Sequence, residues 1–411
     1  MSRLALSRPA LGVLAGWASL SVVLALTTVG PTANWGLLDG GGDLDVYRRG
    51  AWHVLSGLPL YDFPVDKKLF YTYTPFSALV FAPLELLPAE PDRHIWLALN
   101  LAVLIAVVVQ SWRLLGYRVD RALVGVSVLM ALGCVFVEPV RTTLFFGQIN
   151  LILMLLILSD TVGATRSRLA GIGTGLAAGI KLTPLYFVLY FLTLRQRRVA
   201  VTAVAVFAAT VVVGLILLPR DSLTYWAGTF LRSERIGDRL GHPSNQSLRG
   251  MLARLLDDEP PVWLWLALAV LIGVASLTLA VWLHRTGERL LSVTVVGLSS
   301  AVVSPFSWTH HWVWVVPLMV WFVHRALTCW RWWLAPAALF VALGAWPFWF
   351  RNLADPRIGF YLFPYTHVPE VLLRNAYLWL FAVLLIWLGV RAARSVAGAK
   401  AAGEEPVRAE E

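Results

Sequence analysis

The feature that most restricts this chain is a succession of apolar runs. They fall at about 10–29, 76–88, 94–115, 121–137, 149–161, 169–193, 199–218, 262–284, 289–303, 311–328, 332–350 and 373–392. A helix needs about 20 apolar residues to cross a hydrocarbon core, and somewhat shorter runs can cross inside a bundle. The pattern predicts an all-α polytopic membrane bundle of about 12 transmembrane helices, in a range of 10–12, built as one integral membrane domain over residues 1–394. Composition agrees, since 14% charged residues and a mean hydropathy of +0.70 leave too little polar surface for a soluble domain. The first run follows Arg3 and Arg8 in signal-peptide order. It has no A-x-A cleavage site and reads as a retained span.

Basic clusters orient the chain. RQRR (195–198), HRTGER (284–289), HRALTCWR (324–331), RAAR (391–394) and the N-terminus with Arg3 and Arg8 read as cytoplasmic. Alternation then sends 30–75, 219–260, 304–311 and 351–372 to the extracytoplasmic side of a plasma (inner) membrane. Arg113, Arg118, Arg121, Arg166 and Arg168 conflict with this if every run crosses. They agree with it if 76–88 only dips in and 169–193 breaks at KLTP (181–184). Twelve crossings is the favoured expectation, and both versions keep the four polar segments outside. The net charge of +10 is mostly loop arginine, so nucleic-acid binding is not expected. Cys134 and Cys329 suggest neither a disulfide nor a metal site. The tail 395–411 is low in apolar residues and expected to be disordered in the cytoplasm.

Against this apolar background the first polar segment stands out. In GGGDLDVYRRGAWHVLSGLPLYDF (40–63), Val46, Ala51, Val54 and Leu55 recur at helical spacing until Gly57 and Pro59. An interfacial helix is expected, with Asp43 at its N-cap or first position. A cap is one role for Asp43, worth about 1 kcal/mol. The other is chemical: a carboxylate at an apolar boundary is partly desolvated, which raises its pKa and its basicity. Asp45 lies on a different face.

Further polar residues recur where external segments meet the bundle. Tyr73 belongs to FYTYTPF (70–76), whose aromatics can form an interfacial belt or stack on a sugar. Gln148 and Asn150 open an apolar run, where they either bond between helices or bind a ligand. Lys181 sits within a run before Pro184 and must snorkel, pair with an acid or meet an anion such as a lipid phosphate. The glycines at 171, 173, 175 and 179 suit close helix packing. In GHPSNQSLRG (241–250), Asn245 and Gln246 precede Arg249, a fork-shaped cation suited to phosphate or simply solvated. SPFSWTHHW (304–312) places His310 and His311 at an external helix mouth. Adjacent histidines diverge on a helix and no third ligand stands at metal spacing, so zinc is not expected. A proton relay or a hydrogen bond to phosphate or carboxylate fits better.

Taken in order, DLDVYRRGAWHVLSGLPLYD, FYTYTPFSALVFAPLELLP, GQINLILMLLILSD, GLAAGIKLTPLYFVLYFL, NQSLRG and SPFSWTHHWVW resemble the actinobacterial polyprenol-phosphate-mannose-dependent α-1,2-mannosyltransferases, glycosyltransferase family 87 of the GT-C class. The resemblance spans about residues 10–390. It implies an inverting transfer of mannose from a polyprenyl-phosphate donor to the 2-hydroxyl of a mannose on a lipid-anchored glycan, such as a phosphatidylinositol mannoside, lipomannan or lipoarabinomannan. The family's D-x-x-V-Y setting falls on Asp43, Val46 and Tyr47, which makes Asp43 the implied base and Asp45 the second choice. The family's S-P-x-S-W-x-H pattern falls on His310, with His311 second and Phe306 where an aliphatic residue is usual. A phosphodiester leaves without an acid catalyst, so one carboxylate suffices, with no metal or other cofactor expected. Partners would be the lipid-linked donor, the lipid-anchored acceptor and membrane lipids. A polyprenyl-phosphate-arabinose-dependent transferase of the same fold is the alternative. A lipid or solute transporter would instead place carboxylates in mid-membrane on broken, repeated helices.

Overall fold

The computed structural model describes residues 2–27, 37–38, 40–66, 69–164, 167–232, 235, 240–346 and 374–401. In chain order its helices are α1 (Arg8–Thr27), α2 (Gly42–Leu55), α3 (Pro75–Phe81), α4 (Ala89–Leu114), α5 (Arg121–Cys134), α6 (Glu138–Phe146), α7 (Asn150–Gly163), α8 (Ile172–Ile180) and α9 (Tyr186–Thr193). These are followed by α10 (Arg197–Leu217), α11 (Pro219–Trp226), α12 (Leu248–Leu256), α13 (Val262–Arg285), α14 (Arg289–Val303), α15 (Val315–Ala326), α16 (Leu334–Leu343) and α17 (Ala376–Ala401). Among the described residues strand pairing is confined to isolated bridges. Among the described residues five helices are long and apolar enough to cross a membrane, six if the bent pair α6–α7 counts as one span. Val201, Val212 and Ile216 of α10, and Val262, Trp263 and Leu271 of α13, lie exposed on these helices. Such surface is costly in water and suits lipid, and the protein is a multi-pass membrane protein. At the centre α14 is buried almost all round, from Leu290 to Val302.

Two runs expected as spans are not single long helices. The run at 76–88 forms α3 and a 3₁₀ turn over Ala82–Leu86, 12 residues from Pro75 to Leu86, and so rises only about 20 Å. The run at 169–193 breaks at Lys181, whose backbone is extended (φ −143°, ψ 133°) ahead of Pro184. Its first half runs parallel to α10, with Gly171 against Val199, Gly175 against Ala203 and Gly179 against Thr210. The glycines therefore serve close packing. Its second half runs antiparallel to α14, with Tyr186 hydroxyl bonded to Ser299 (3.2 Å) and Tyr190 to Ser292 (3.1 Å). The segment is a hairpin whose tip carries Lys181.

The hairpin also resolves the conflict among the basic clusters. Ser2 bonds through its backbone to Gly116 and Arg118, which brings the N-terminus beside the α4–α5 turn with Arg113 and Arg121. Arg198 donates to the carbonyls of Ser167 (2.7 Å) and Ala164 (3.1 Å), and Arg391 pairs with Glu288 (3.1 Å). The basic turns thus share one pole, Arg168 included. At the opposite pole, Leu60 N–H bonds Asp221 (2.8 Å), Asn245 pairs with Trp308, and Ala345 N–H bonds Phe136 (2.9 Å).

The expected polar segments contain more helix than their sequence suggests. Residues 219–260 carry α11 and α12. The last helix reaches Ala401, so part of the expected disordered tail is helical. The loop 351–372, the tail beyond 401, Arg166, the end of the first run at 28–29 and residues 30–36, 39 and 67–68 of the first polar segment lie outside the described residues.

Candidate active site

The site forms where α2, α6, α7, the hairpin tip and the 3₁₀ turn Thr309–Trp314 meet. Gly41, not Asp43, caps α2, because the Gly41 N–H is engaged with Phe145 O (2.7 Å) at the end of α6. Asp43 is the second residue of the helix and its carboxylate is free for other work. Tyr47, one turn on, is fully buried and stacks on Phe81 at 4.3 Å. The chain between α6 and α7 turns through 117° at Gly147, whose left-handed backbone (φ 73°) favours glycine. A Cβ there would come within 2.9 Å of Leu44, and the Gly147 carbonyl accepts Trp96 Nε1 at 2.7 Å. This sharp turn delivers Gln148 beneath Asp43.

Gln148 is oriented by two phenols. The hydroxyls of Tyr47 and Tyr73 both reach its Oε1, at 3.1 and 3.2 Å. With the oxygen so engaged, its amide N–H faces Asp43 and donates to it. Burial pushes the Asp43 carboxyl up to about 6, opposed by this bond and by the charge of Lys181. Asp43 is half-buried at its own surface but closely surrounded by protein, which is why desolvation outweighs the two favourable partners.

Next to this carboxylate runs a cationic network. Lys181 Nζ donates to Asn150 Oδ1 (3.1 Å), stands 2.9 Å from His311 Nε2, and lies 5.5 Å from the Tyr73 ring centre. Asn150 Nδ2 donates to the His310 carbonyl at 3.0 Å, and Thr143 supports the same carbonyl at 3.4 Å. The buried His310 ring lies 4.8 Å from that of His311, and its Nε2 has no partner among the described residues. Leu153, Met154, Ile157, Phe187 and Trp314 continue from Lys181 and His311 into an apolar cavity of about 50 Å³. The arrangement can hold a base next to a cation at the mouth of an apolar passage.

Of the residues singled out by sequence, Asp43, Tyr47, Tyr73, Gln148, Asn150, Lys181, His310 and His311 come together. Asp45 does not: it faces away and pairs with Arg93 at 3.0 Å. Asn245 is buried and fully occupied, donating to Leu240 O (2.8 Å) and accepting from Ser307 N (3.0 Å) and Ser247 N (3.3 Å). Gln246 donates to the carbonyls of Pro243 and Arg374. Both tie the 241–247 loop to the SPFSW turn. Arg249 pairs with Glu259 and lies over the Trp265 ring, outside the cluster. Sequence reasoning missed α6, which lies in EPVRTTLFF between two apolar runs. Its buried Glu138 and Arg141, unusual side by side with so much hydrocarbon, were the available signal. Asp160 was missed too: it accepts Thr174 N (2.6 Å) and Thr174 Oγ1 (2.8 Å) and fixes the start of the hairpin. Among the described residues no group of three His, Cys, Asp or Glu is placed to hold a metal ion.

An all-helical membrane protein with a desolvated carboxylate beside a cation and an apolar passage has the make-up of a transferase that works on lipid-borne substrates. A family model described as glycosyltransferase family 87 matches residues 71–305. The chain is 38% identical over 333 residues to the polyprenol-phosphate-mannose-dependent alpha-(1-2)-phosphatidylinositol pentamannoside mannosyltransferase of Mycolicibacterium smegmatis, covering 77% of this chain and 78% of that one. It is 35% identical over 295 residues to the polyprenol-phosphate-mannose-dependent alpha-(1-2)-phosphatidylinositol mannoside mannosyltransferase of Mycobacterium tuberculosis, covering 68% and 69%. An alpha-(1->3)-arabinofuranosyltransferase of Mycobacterium tuberculosis is 29% identical over 58% of this chain and 54% of its own. No solved structure matches the chain. The chain belongs to glycosyltransferase family 87, and it is a membrane glycosyltransferase.

Proposed function

We propose that the protein transfers mannose, with inversion, from polyprenyl-phosphate-mannose to the 2-hydroxyl of a mannose on a lipid-anchored glycan of the phosphatidylinositol mannoside, lipomannan or lipoarabinomannan type. The observation that carries this reading is Asp43, a single carboxylate pushed up to about 6 and held by Gln148 next to Lys181. Asp43 takes the proton of the acceptor hydroxyl. The freed oxygen attacks the donor C1 from the face opposite the phosphate, the C1–O bond breaks, and the electron pair leaves on the prenyl phosphate. Lys181 and His311, bonded to each other at the mouth of the apolar cavity, steady the departing phosphate, and the cavity takes the start of the prenyl chain. The unengaged His310 Nε2 hydrogen-bonds a sugar hydroxyl or a phosphate oxygen. The prenyl phosphate is a good leaving group, so the reaction needs neither a second carboxylate nor a metal.

In this reading the basic pole is cytoplasmic, the site opens to the extracytoplasmic face of the plasma membrane, and α2 lies in the interface. The chain crosses ten times, through α1, α4, α5, α7, α10, α13, α14, α15, α16 and α17, with α3 and the Lys181 hairpin entering without crossing. Ten crossings, an even number, return both termini to the basic pole.

The test is transfer from polyprenyl-phosphate-mannose to defined lipid acceptors, with mass and linkage analysis of the product. Asp43→Asn should lower turnover by about 10²–10⁴-fold, the usual worth of a general base, while Asp45→Asn keeps it. An α-1,2-mannosylated product lost in Asp45→Asn and kept in Asp43→Asn would move the base, and arabinose in the product would move the donor. Activity removed by EDTA and restored by manganese would overturn the metal-free step.

A further inference from the structure

The reaction above uses one side of α2. The other side borders a cleft of about 320 Å³, large enough for a small ligand. Asp45, Arg48, Arg49 and Trp52 line it from positions i, i+3, i+4 and i+7, one stripe of the helix, and Asp43 and Tyr47 point away from it. Two of its ion pairs are closed, Arg93 with Asp45 (3.0 Å) and Arg48 with Glu85 (3.3 Å). Three groups remain open. The Arg49 guanidinium, the Asp66 carboxylate and the Trp52 indole N–H all line the cleft or its rim without a partner among the described residues, and Trp52 is 43% exposed.

The charges decide what such a cleft recognises. Arg48, Arg49 and Arg93 balance Asp45, Asp66 and Glu85, so the lining is formally neutral and does not favour an anion. Planar guanidinium and carboxylate groups bond neighbouring hydroxyls in pairs, and an indole face covers the apolar side of a sugar ring. Each element suits a neutral polyhydroxylated ligand.

We propose that this cleft is a distal glycan subsite, which holds a neutral sugar of the acceptor away from the transfer site, with Trp52 as platform and Arg49 and Asp66 as its hydrogen-bonding groups. The proposal rests on the reading of the protein as a transferase to a glycan acceptor. Cleft and base lie on two sides of one helix about 10 Å thick. Gly42, exposed and without a side chain, lies at the amino end of α2 between them. An acceptor of several sugars can therefore occupy both, and a single sugar cannot. The subsite makes the enzyme select for acceptors already extended by other transferases.

Calorimetry on the full-length protein in nanodiscs tests this, with α-linked mannotriose as the probe and Asp43→Asn as the background so that turnover plays no part. Mannotriose should bind, Trp52→Ala should weaken it by about tenfold or more, and Trp52→Phe should restore most of the loss. Arg49→Ala and Asp66→Asn should each weaken it too, and inorganic phosphate should not compete. With Asp43 intact, Trp52→Ala should raise KM for a multi-sugar acceptor while kcat and the donor KM hold. Absence of mannotriose binding, binding indifferent to Trp52, or displacement by phosphate would each overturn the subsite. These outcomes are separate from transfer: loss of the Asp43 reading would leave the calorimetry standing, and loss of the subsite would leave the Asp43→Asn result standing.

Discussion

The proposed base is predicted to be a burden on the fold, and Asp43→Asn measures it. The carboxyl is moved from its ordinary 3.8 up to about 6, chiefly by burial. That is about two pKa units at 1.36 kcal/mol each, or about 3 kcal/mol. The sign follows from linkage: a carboxyl with a raised folded-state pKa binds its proton more tightly when folded. Its favourable contribution is complete below pH 3.8 and is lost as pH rises through about 6. At pH 7.5 the folded protein therefore carries a buried charge costing about 3 kcal/mol, which an isosteric amide does not. Asparagine keeps an oxygen to accept from Gln148. Asp43→Asn should be inactive and yet more stable at pH 7.5, melting a few degrees higher in nanodiscs. At pH 5 the gain should shrink to about half, because the folded wild type is by then mostly protonated. A variant that melts lower at pH 7.5, or whose gain does not change between pH 5 and pH 7.5, would refute a desolvated carboxylate at this position.

The same carboxyl sets the pH dependence of turnover: kcat/KM should rise with pH through about 6, and Lys181→Met should move that limb to higher pH, since it removes a charge that lowers Asp43. A limb that stays put or moves down in pH-rate profiles would detach Lys181 from the base. Asp160→Asn should lower the melting temperature, with a cost of about 1.5–3 kcal/mol for hydrogen bonds to a charged acceptor, because Asp160 anchors the hairpin through Thr174. Asn245→Ala should destabilise by about 1–3 kcal/mol, since Ser307 N–H and Ser247 N–H lose their shared acceptor. Arg249→Ala should leave turnover unchanged, and a specific rise in donor KM would return that arginine to the site.

Much of the candidate site was legible in local sequence because polar groups are costly in hydrocarbon. Gln148, Asn150 and Lys181 stood out as polar groups in apolar runs, and His310 and His311 as titratable groups at a helix mouth. Asn245, Gln246 and Arg249 lie in a polar segment where that rule has no force, and the structure places them outside the cluster, bound to backbone carbonyls, amides and Glu259. Asp43 was expected at the N-cap or first position of its helix, but Gly41 and Gly42 take those places and leave the carboxylate free.

Hydropathy and charge, which add along the chain whatever the fold, determined that this protein is a helical membrane bundle and which turns carry its basic residues. They could not decide whether an apolar run crosses or turns back. That choice depends on where its two ends dock, and at 172–193 it was made by α10 and α14, which return the hairpin to the pole it left. Nor could they bring Asp43, Gln148, Lys181 and His311 together from segments far apart in sequence. A carboxylate becomes a base, and a lysine its neighbour, only when packing removes water from both, and that environment belongs to the tertiary structure.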